Sequence, residues 1–281
     1  MATFSSIGII GVGLIGGSVA RAARAADPFV SIIGLDVDDI AAAAHAAGVI
    51  DRAATLDDIG ACELIVLAAP VSANLAWLDR LAAAGTSALV TDVGGTKRQM
   101  NAKGAELGDR LSFVGGHPMA GSERSGFVAA DAALFRDRKW FVVPVPRHVP
   151  VGLAQLDAWI RSMGAQPSVV DAETHDRVMA AVSALPQVAA SALMAVVGDR
   201  VDVGGLSMAG PGLRDTTRLA GSAATWMTDG LAHNSREVAD AIDAFITELR
   251  ILRDQLDTPE RAASLFARAQ EWRRALMDVP R

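Results

Sequence analysis

The sequence predicts an α/β protein in which a doubly wound, mostly parallel sheet comes first and an all-helical domain follows. From Ile7 to about Val170, short β-rich apolar runs alternate with Ala-rich helical segments, a rhythm typical of a sheet covered by helices on both faces. After Asp171 these runs give way to long stretches rich in Ala, Leu and Val. We therefore expect one domain over residues 1–170 and a second over residues 171–281.

The individual elements follow from the period and length of each apolar run. Short runs rich in β-branched residues predict strands at Ile7–Val12, Ser31–Asp36, Glu63–Ala68, Ala88–Val93, Phe113–Gly116 and Trp140–Val143. Longer stretches with helical composition predict helices at Glu173–Val197, Ser235–Asp257 and Arg261–Met277, with no convincing strand among them.

The composition excludes several classes of function. The chain has 281 residues, of which 51% are hydrophobic, and a formal net charge of −6, with scattered Lys and Arg. This pattern gives no footprint for nucleic acid or an anionic membrane. The single cysteine, Cys62, excludes an internal disulfide and a cysteine-based zinc site, and we predict no metal. No apolar stretch is both long and Gly-poor enough to span a bilayer, so we expect a cytoplasmic protein.

A glycine motif follows the first predicted strand. Gly11, Gly13 and Gly16 form the pattern G-x-G-x-x-G, and the helical segment Leu14–Ala26 begins within it. This order of strand, glycine turn and helix is the fingerprint of a Rossmann-type dinucleotide-binding fold. The first glycine permits the tight turn, the second lets the backbone approach a pyrophosphate, and the third lets helix and strand pack closely.

Asp36 ends the second predicted strand and favours NAD as the cofactor. It lies about 20 residues after Gly16, the spacing at which a carboxylate binds the ribose 2′-hydroxyl. The acidic residues Asp38 and Asp39 follow and would repel the 2′-phosphate of NADP. Further cofactor contacts are expected where loops close the neighbouring strands, at Leu14, Ile15, Ala69, Pro70, Val71 and Gly94.

His117 is the predicted proton acceptor. It follows the predicted strand Phe113–Gly116, so it should lie at the carboxyl edge of the sheet, where doubly wound folds bind their ligands. A histidine can accept an alcohol proton near neutral pH while hydride leaves the carbon. The contexts of His45, His148 and His233 are those of solvated surface groups.

An ordered series of motifs resembles the prephenate/arogenate (cyclohexadienyl) dehydrogenase family over nearly the whole chain. Beside the glycine motif, it comprises Asp92-Val-Gly-Gly-Thr-Lys97, His117-Pro-Met-Ala-Gly-Ser-Glu123, Thr174-His-Asp176, Ser183-Ala-Leu-Pro-Gln187 and Arg214-Asp-Thr-Thr-Arg218. The resemblance implies NAD-dependent oxidative decarboxylation of prephenate to 4-hydroxyphenylpyruvate and CO2 in tyrosine biosynthesis. Arogenate is the alternative substrate, alone or together with prephenate. A homodimer through the helical domain is also implied, and the strongly apolar Glu173–Val197 stretch agrees with it.

The same resemblance implies roles for individual residues. His117 matches the catalytic histidine that hydrogen-bonds the ring hydroxyl, and Arg218 matches the arginine that holds a substrate carboxylate, a task that suits a bidentate guanidinium. The alternative for Arg218 is a surface ion pair with Asp215. The remaining positions that match residues lining or gating the pocket are Glu123, His175, Asp215 and Trp226.

Two positions depart from the family pattern. Gly95 stands where the family usually has a serine near the catalytic histidine, which leaves the adjacent Thr96 as the candidate for that hydrogen bond. Gln187 stands where the family usually has a histidine. An amide can donate a hydrogen bond but carries no charge, which bears on the choice between prephenate and arogenate.

Two other functions compete with this interpretation. A β-hydroxyacid dehydrogenase would place a catalytic lysine in the second domain, whereas no lysine follows Lys139. A non-catalytic NAD-binding regulator with the same fold would have no need of both His117 and Arg218.

Overall fold

The computed structural model describes residues 3–122, 124–145, 152–222 and 224–279, with only the backbone described at residues 224–226 and 261. Within these residues, eight strands form one sheet in the order β3-β2-β1-β4-β5-β6-β7-β8. The strands are β1 Ser6–Ile10, β2 Ser31–Leu35, β3 Arg52–Ala53, β4 Leu64–Leu67, β5 Leu89–Asp92, β6 Ser112–Pro118, β7 Lys139–Pro144 and β8 Gln166–Val169.

Neighbouring strands are parallel except for β6 and β7, which pair in antiparallel fashion. The chain order reverses at β1, because β2 lies on one side of it and β4 on the other. In an open parallel sheet such a reversal leaves a crevice at the carboxyl ends of the strands, which is where ligands bind.

Helices cover both faces of this sheet. They are α1 Leu14–Ala26, α2 Asp38–Ala46, α3 Leu56–Gly60, α4 Val71–Ala84, α5 Arg98–Leu107 and α6 Leu153–Ser162. Successive side chains of a strand point to opposite faces, so Ile9 packs in a core that includes Ile160 of α6, whereas Ile10 packs in a second core that includes Leu78 of α4. Burial on both faces explains why these strands are almost wholly apolar.

The six predicted strands are all present, and two short strands were missed. β3 has two residues, and β8 is an edge strand whose sequence contains Gln166 and Pro167. An edge strand needs neither an apolar face on both sides nor every backbone N–H, so it tolerates a proline and gives no hydrophobic signal.

The second domain is helical, as predicted. Its helices are α7 Ala172–Met179, α8 Leu185–Leu206, α9 Pro211–Thr216, α10 Ala224–His233, α11 Ser235–Arg253 and α12 Pro259–Asp278. α7 and α8 are continuous through a wide π-turn at Ala180–Ala184. Pro186 has no N–H and its ring would clash with the carbonyl group four residues earlier, which explains the irregular turn before it.

The helical stretch Ala172–Leu206, which is kinked at Asp202 (φ +53°), is long and apolar enough to cross a membrane, by length and composition alone. The expectation that no stretch meets this criterion was therefore wrong. Few of its apolar side chains are buried within the protomer, and Val182 and Val196 are more than half exposed. Trp272 on α12 is exposed as well. These helices leave an apolar surface that the described protomer does not cover.

Candidate active site

A cleft of about 340 Å³ lies at the carboxyl ends of β1, β4, β5 and β6. Loops that follow these strands form one wall, and they contribute Gly13, Pro70, Gly94 and His117. The helical domain forms the other wall with side chains from α7, α10 and α11 and from the π-turn before α8, among them Met179, Ser183, Met227, Asp229 and Asn234. The cleft therefore lies where the strand order reverses and where the two domains meet.

The glycine loop between β1 and α1 has the backbone geometry that its sequence predicts. Gly11 has φ +95°, and a Cβ atom there would lie 2.6 Å from the backbone of Ala68. A Cβ atom on Gly16 would lie 2.0 Å from the Gly11 carbonyl oxygen, so both positions exclude any side chain. At Gly13 a Cβ atom would meet no described atom within 4 Å, which leaves the backbone open to the cleft.

The N-terminus of α1 faces the cleft through Gly13, Leu14 and Ile15. No described side chain caps its first N–H groups. A helix N-terminus carries partial positive charge and unpaired N–H donors, so this end of α1 can hold a pyrophosphate.

Asp36 is fixed beside the same loop. One of its carboxylate oxygens accepts a hydrogen bond from the backbone N–H of Val12 at 2.7 Å, and the other accepts one from Val37 at 2.7 Å. Each oxygen has a second lone pair, so the carboxylate can still bind ribose hydroxyls. Its side chain is placed at the end of β2, next to the turn rather than in the lining of the main cleft.

Ala69, Pro70 and Val71 line the cleft where β4 leads into α4. Across the cleft, the Asp229 carboxylate accepts a hydrogen bond from the Val71 backbone N–H at 2.6 Å and a longer one from Ser72 at 3.4 Å. An acidic side chain at a helix N-terminus is stabilising, so α10 holds the first turn of α4 across the domain boundary. Sequence reasoning missed this contact, because it joins positions 158 residues apart.

His117 lies near the end of β6, and its half-buried ring lines the cleft. Its Nδ1 atom is 2.9 Å from Nε2 of His175 on α7. His175 is 2% exposed, and its own Nδ1 is 2.8 Å from Oδ1 of Asp176. Asp176 also accepts hydrogen bonds from the backbone N–H groups of Lys97 and Arg98, at 2.7 and 2.8 Å. A chain of two imidazoles and one carboxylate therefore leads from the cleft into the protein.

A buried ion pair supports the loop beneath this chain. The side chains of Lys97 and Asp92 are both fully buried and form a salt bridge. The Asp92 carboxylate also accepts hydrogen bonds from the backbone N–H groups of Gly94 and Gly116, at 2.9 and 3.1 Å. These bonds fix the end of β5 against the strand that carries His117.

The electrostatics of the site keep His117 neutral. Burial, followed by the proximity of His175 and of Lys97, holds the pKa of His117 well below its usual value of 6.5. Burial also lowers the pKa of Lys97, although Asp92 opposes that effect. For Asp176, burial alone would raise the pKa, but hydrogen bonds from His175, Arg98 and Lys97 outweigh it and lower the pKa. Asp176 is therefore an anion at pH 7, and the imidazole of His117 is uncharged.

The two departures from the family pattern have structural consequences. A Cβ atom on Gly95 would have Nε2 of His117 as its nearest neighbour, at 4.0 Å, so the absence of a side chain leaves open space beside that nitrogen. Thr96 is 6% exposed, and its hydroxyl oxygen is buried without a hydrogen-bond partner in the described part of the chain. Thr96 lines the cleft but does not replace the missing serine hydroxyl.

The structure brings only some of the residues that were predicted to bind the substrate to the cleft. Asp215 and Arg218 are exposed and lie outside its lining, and His175 stands behind His117 rather than in the pocket wall. Gln187 also lies outside the lining, where it donates a hydrogen bond to the Leu219 carbonyl oxygen at 2.7 Å. Two further predictions, Glu123 and the side chain of Trp226, lie outside the described residues.

Arg124 is a cleft residue that sequence reasoning missed. Among the residues that the structure describes, it is the arginine found in the lining of the cleft. It follows the His117 motif directly, so the signal was a cation adjacent to that motif in a net acidic protein.

Comparison with known proteins agrees with this geometry. Residues 19–169 match the family model described as the nucleotide-binding domain of prephenate dehydrogenase, and residues 171–270 match the model described as its dimerization domain. The chain belongs to the prephenate dehydrogenase family. The resemblance inferred from the motif series is thereby confirmed.

Individual relatives show how far the likeness extends. The prephenate dehydrogenase of Bacillus subtilis (strain 168) is 34% identical over 266 residues, which are 92% of this chain and 71% of that protein. A crystal structure of prephenate dehydrogenase from A. aeolicus with hydroxyphenyl propionate and NAD+ has a TM-score of 0.87 at 26% identity, and covers 97% of this chain and 98% of that chain. Arogenate dehydrogenase from Synechocystis has a TM-score of 0.79 at 25% identity, with 96% and 99% covered.

Membership of the prephenate dehydrogenase family decides between the functions that the sequence left in competition. The protein is an NAD-dependent oxidoreductase, and its sheet domain is the NAD-binding domain. A β-hydroxyacid dehydrogenase and a non-catalytic NAD-binding regulator are not supported.

Proposed function

We propose that this enzyme converts prephenate into 4-hydroxyphenylpyruvate and CO2 in tyrosine biosynthesis, with NAD as the hydride acceptor. One observation carries the proposal: the His117 ring and the glycine loop line the same cleft, so a proton acceptor lies close to the dinucleotide site. The direct test is NADH absorbance after prephenate is added to the enzyme with NAD, and no NADH formation would contradict the proposal. Parallel kinetics with arogenate distinguish arogenate dehydrogenase and dual specificity from a preference for prephenate.

The residues of the chain provide proton transfer and orientation. NAD, when bound, supplies the hydride acceptor. His117 is neutral at pH 7 and accepts the proton of the ring hydroxyl at Nε2, the nitrogen beside the open space at Gly95. Loss of the ring carboxylate as CO2 makes the ring aromatic, which drives the reaction. The protein therefore needs mainly to orient the substrate and to hold its charge.

The glycine loop and Asp36 fit the two polar parts of a dinucleotide. We assign the pyrophosphate to the uncapped N-terminus of α1, with Gly13 as the point of close approach. The Asp36 carboxylate, held by the Val12 and Val37 N–H groups, is assigned to the adenine ribose hydroxyls. Ala69, Pro70, Val71 and Gly94 complete the proposed contacts along the cleft.

The Asp36 assignment predicts a preference for NAD over NADP. We expect a higher kcat/KM with NAD, because the 2′-phosphate of NADP would lie against the Asp36 carboxylate. Replacing Asp36 with asparagine should lower kcat/KM for NAD by about 10- to 100-fold, the range for losing hydrogen bonds to a charged group. The ratio of the kcat/KM value for NAD to that for NADP should therefore fall. Asp57→Asn, an exposed change of equal charge on α3, is the control. Equal kcat/KM values for the two cofactors in the parent enzyme would rule the assignment out.

Two arginines are assigned to the two carboxylates that prephenate carries. Arg218 occupies the position that matches the family's carboxylate-binding arginine, and Arg124 lines the cleft itself. Gln187 bonds the Leu219 carbonyl oxygen and the Ser222 hydroxyl, so it holds the segment that contains Arg218 against α8. A guanidinium can grip a carboxylate through two parallel hydrogen bonds.

We expect Arg218→Ala to raise KM for prephenate by about 30-fold or more, which corresponds to about 2 kcal/mol for an anion left without its partner. If the contact is equally strong in the ground and transition states, the loss should appear chiefly in KM, and kcat should change less. Lysine should rescue KM only in part, since a point charge cannot replace the planar fork. Arg177→Ala, at an exposed position on α7, is the control.

Arg124→Ala measured beside Arg218→Ala separates the two positions. A raised KM in both variants supports one carboxylate at each arginine. A KM within twofold of the parent in Arg218→Ala would contradict the role of Arg218. In that case a raised KM in Arg124→Ala would move the contact to Arg124.

We also propose that the chain divides after residue 170 and forms a homodimer through residues 171–281. The match to a dimerization domain supports dimer formation in this half of the chain. Exposed apolar side chains on α8, α11 and α12 supply a surface for a second copy, among them Val196, Leu249, Phe266 and Trp272. We place the enzyme in the cytoplasm, as suits a biosynthetic dehydrogenase with one free cysteine.

A further inference from the structure

His117, His175 and Asp176 form a hydrogen-bonded chain, and the position of each proton in it follows from Asp176, the residue at its buried end. Asp176 is fully buried and accepts hydrogen bonds from the backbone N–H groups of Lys97 and Arg98. An ionised carboxylate can only accept, so the 2.8 Å contact with His175 requires a proton on His175 Nδ1. For a neutral His175, which carries one ring proton, Nε2 is then an acceptor.

The second contact in the chain is determined by the first. His175 Nε2 accepts from Nδ1 of His117 at 2.9 Å, so the ring proton of His117 is on Nδ1. Its other nitrogen, Nε2, is then unprotonated and is the one that faces the open space at Gly95. We propose that His175 and Asp176 are positioning residues, which fix the tautomer of His117 so that the Nε2 lone pair faces the substrate hydroxyl. This inference rests on the proposed function of His117.

The same chain accommodates the charge that the reaction creates. When Nε2 of His117 takes the hydroxyl proton, the ring becomes an imidazolium close to the Lys97 cation, which opposes that charge. The proton on Nδ1 of His117 can then move along the 2.9 Å contact to Nε2 of His175. The positive charge comes to lie on His175, in contact with the Asp176 carboxylate, and no proton is lost or gained. Lys97 is itself paired with the buried carboxylate of Asp92.

A purely structural role for His175 is the alternative. Its ring packs edge-to-face on Phe141, with ring centroids 5.6 Å apart, and lies against His117 in the same manner at 5.1 Å. If packing were its whole contribution, an aromatic ring without nitrogen would serve. If accepting the Nδ1 proton matters, a smaller side chain with an oxygen acceptor should serve better.

Two substitutions at position 175 therefore test the inference. His175→Phe keeps an aromatic ring but leaves Nδ1 of His117 without an acceptor, and we expect kcat to fall by about 100-fold or more, with KM within a few-fold of the parent. His175→Gln offers an amide oxygen and should recover at least about tenfold of that loss. Asn101→Ala is the structural control, because Asn101 is buried and its side chain donates hydrogen bonds to the carbonyl oxygens of Val143 and Pro144, not to His117, His175 or Asp176.

A spectroscopic measurement on the enzyme without substrate provides a second readout. In a 15N NMR spectrum of histidine-labelled protein at pH 7, assigned by the loss of signals in His117→Asn, Nε2 of His117 should have the shift of an unprotonated nitrogen. In His175→Phe this preference should weaken towards a mixture of tautomers, and Asp176→Asn should shift it as well. Asn101→Ala should leave it unchanged.

The outcomes separate this inference from the proposed function. It is overturned if the parent spectrum shows a proton on Nε2, or if His175→Phe retains kcat as well as Asn101→Ala does. Activity of the parent enzyme on prephenate and its loss in His117→Asn would stand in either case. A parent enzyme without prephenate activity would instead contradict the proposed function, while the tautomer could still be measured.

Discussion

Replacing His117 with asparagine is expected to lower kcat by about two to four orders of magnitude, the usual contribution of a general base. The asparagine amide can still donate a hydrogen bond towards His175 but cannot accept a proton from the substrate hydroxyl. The affinity for NAD should hardly change, because the glycine loop and Asp36 are separate from the imidazole. Steady-state kinetics with prephenate and a binding titration with NAD measure the two effects. A near-normal kcat would mean that another group accepts the proton.

The pH profile of the parent enzyme should show the same group. Because the pKa of His117 is held well below 6.5, by burial first and then by His175 and Lys97, the base is already neutral at pH 7. The kcat/KM for prephenate should therefore be flat near pH 7 and fall as the pH drops through that lowered pKa. This limb should be absent in His117→Asn and present in the control His45→Asn, which changes an exposed histidine on α2. A fall in kcat/KM that sets in at or above pH 6.5 would contradict a base with a lowered pKa.

Prediction of the fold succeeded where burial of an element produces a recognisable apolar run in the sequence. Strands such as β1 and β4 are buried on both faces, so each is an unbroken apolar run that can be recognised without knowing its neighbours. The edge strand β8 has no such apolar run. The π-turn at Ala180–Ala184 could not be predicted from the sequence. The proline that causes it also fits the first turn of an ordinary helix, so the sequence does not show whether one helix continues or a new one begins.

Prediction of the site depended on whether a residue acts within one local segment. The glycine loop and His117 belong to strand-to-helix or strand-to-loop motifs, so their place at the carboxyl edge of the sheet follows from chain order alone. The capping of α4 by Asp229 and the pairing of His175 with His117 require the helical domain to meet the sheet. Those contacts depend on the packing of the two domains, for which no local pattern in the sequence is diagnostic. The motif that contains His175 placed it at the site but not behind the catalytic ring.

Removing one partner of the buried pair of Lys97 and Asp92 should cost more stability than breaking any other ion pair among the residues that the structure describes. Both side chains are fully buried, and Asp92 also holds the backbone at Gly94 and Gly116. Lys97→Met keeps most of the side-chain volume but removes the cation, which leaves a buried carboxylate without its partner. We expect the free energy of unfolding to fall by about 3–5 kcal/mol, the usual cost of breaking a buried pair from one side.

Urea denaturation of Lys97→Met against the parent enzyme measures this effect through the midpoint and its slope. The control is Lys103→Met on α5, which removes a lysine of the same type from a solvent-facing pair with Asp79 and should change the midpoint little. Adding Asp92→Asn to Lys97→Met should recover part of the loss, because the remaining carboxylate is then neutralised, and the two changes will not be additive. If Lys97→Met is no less stable than Lys103→Met, the carboxylate of Asp92 is satisfied without the lysine, and its hydrogen bonds to Gly94 and Gly116 alone hold the strand that carries His117.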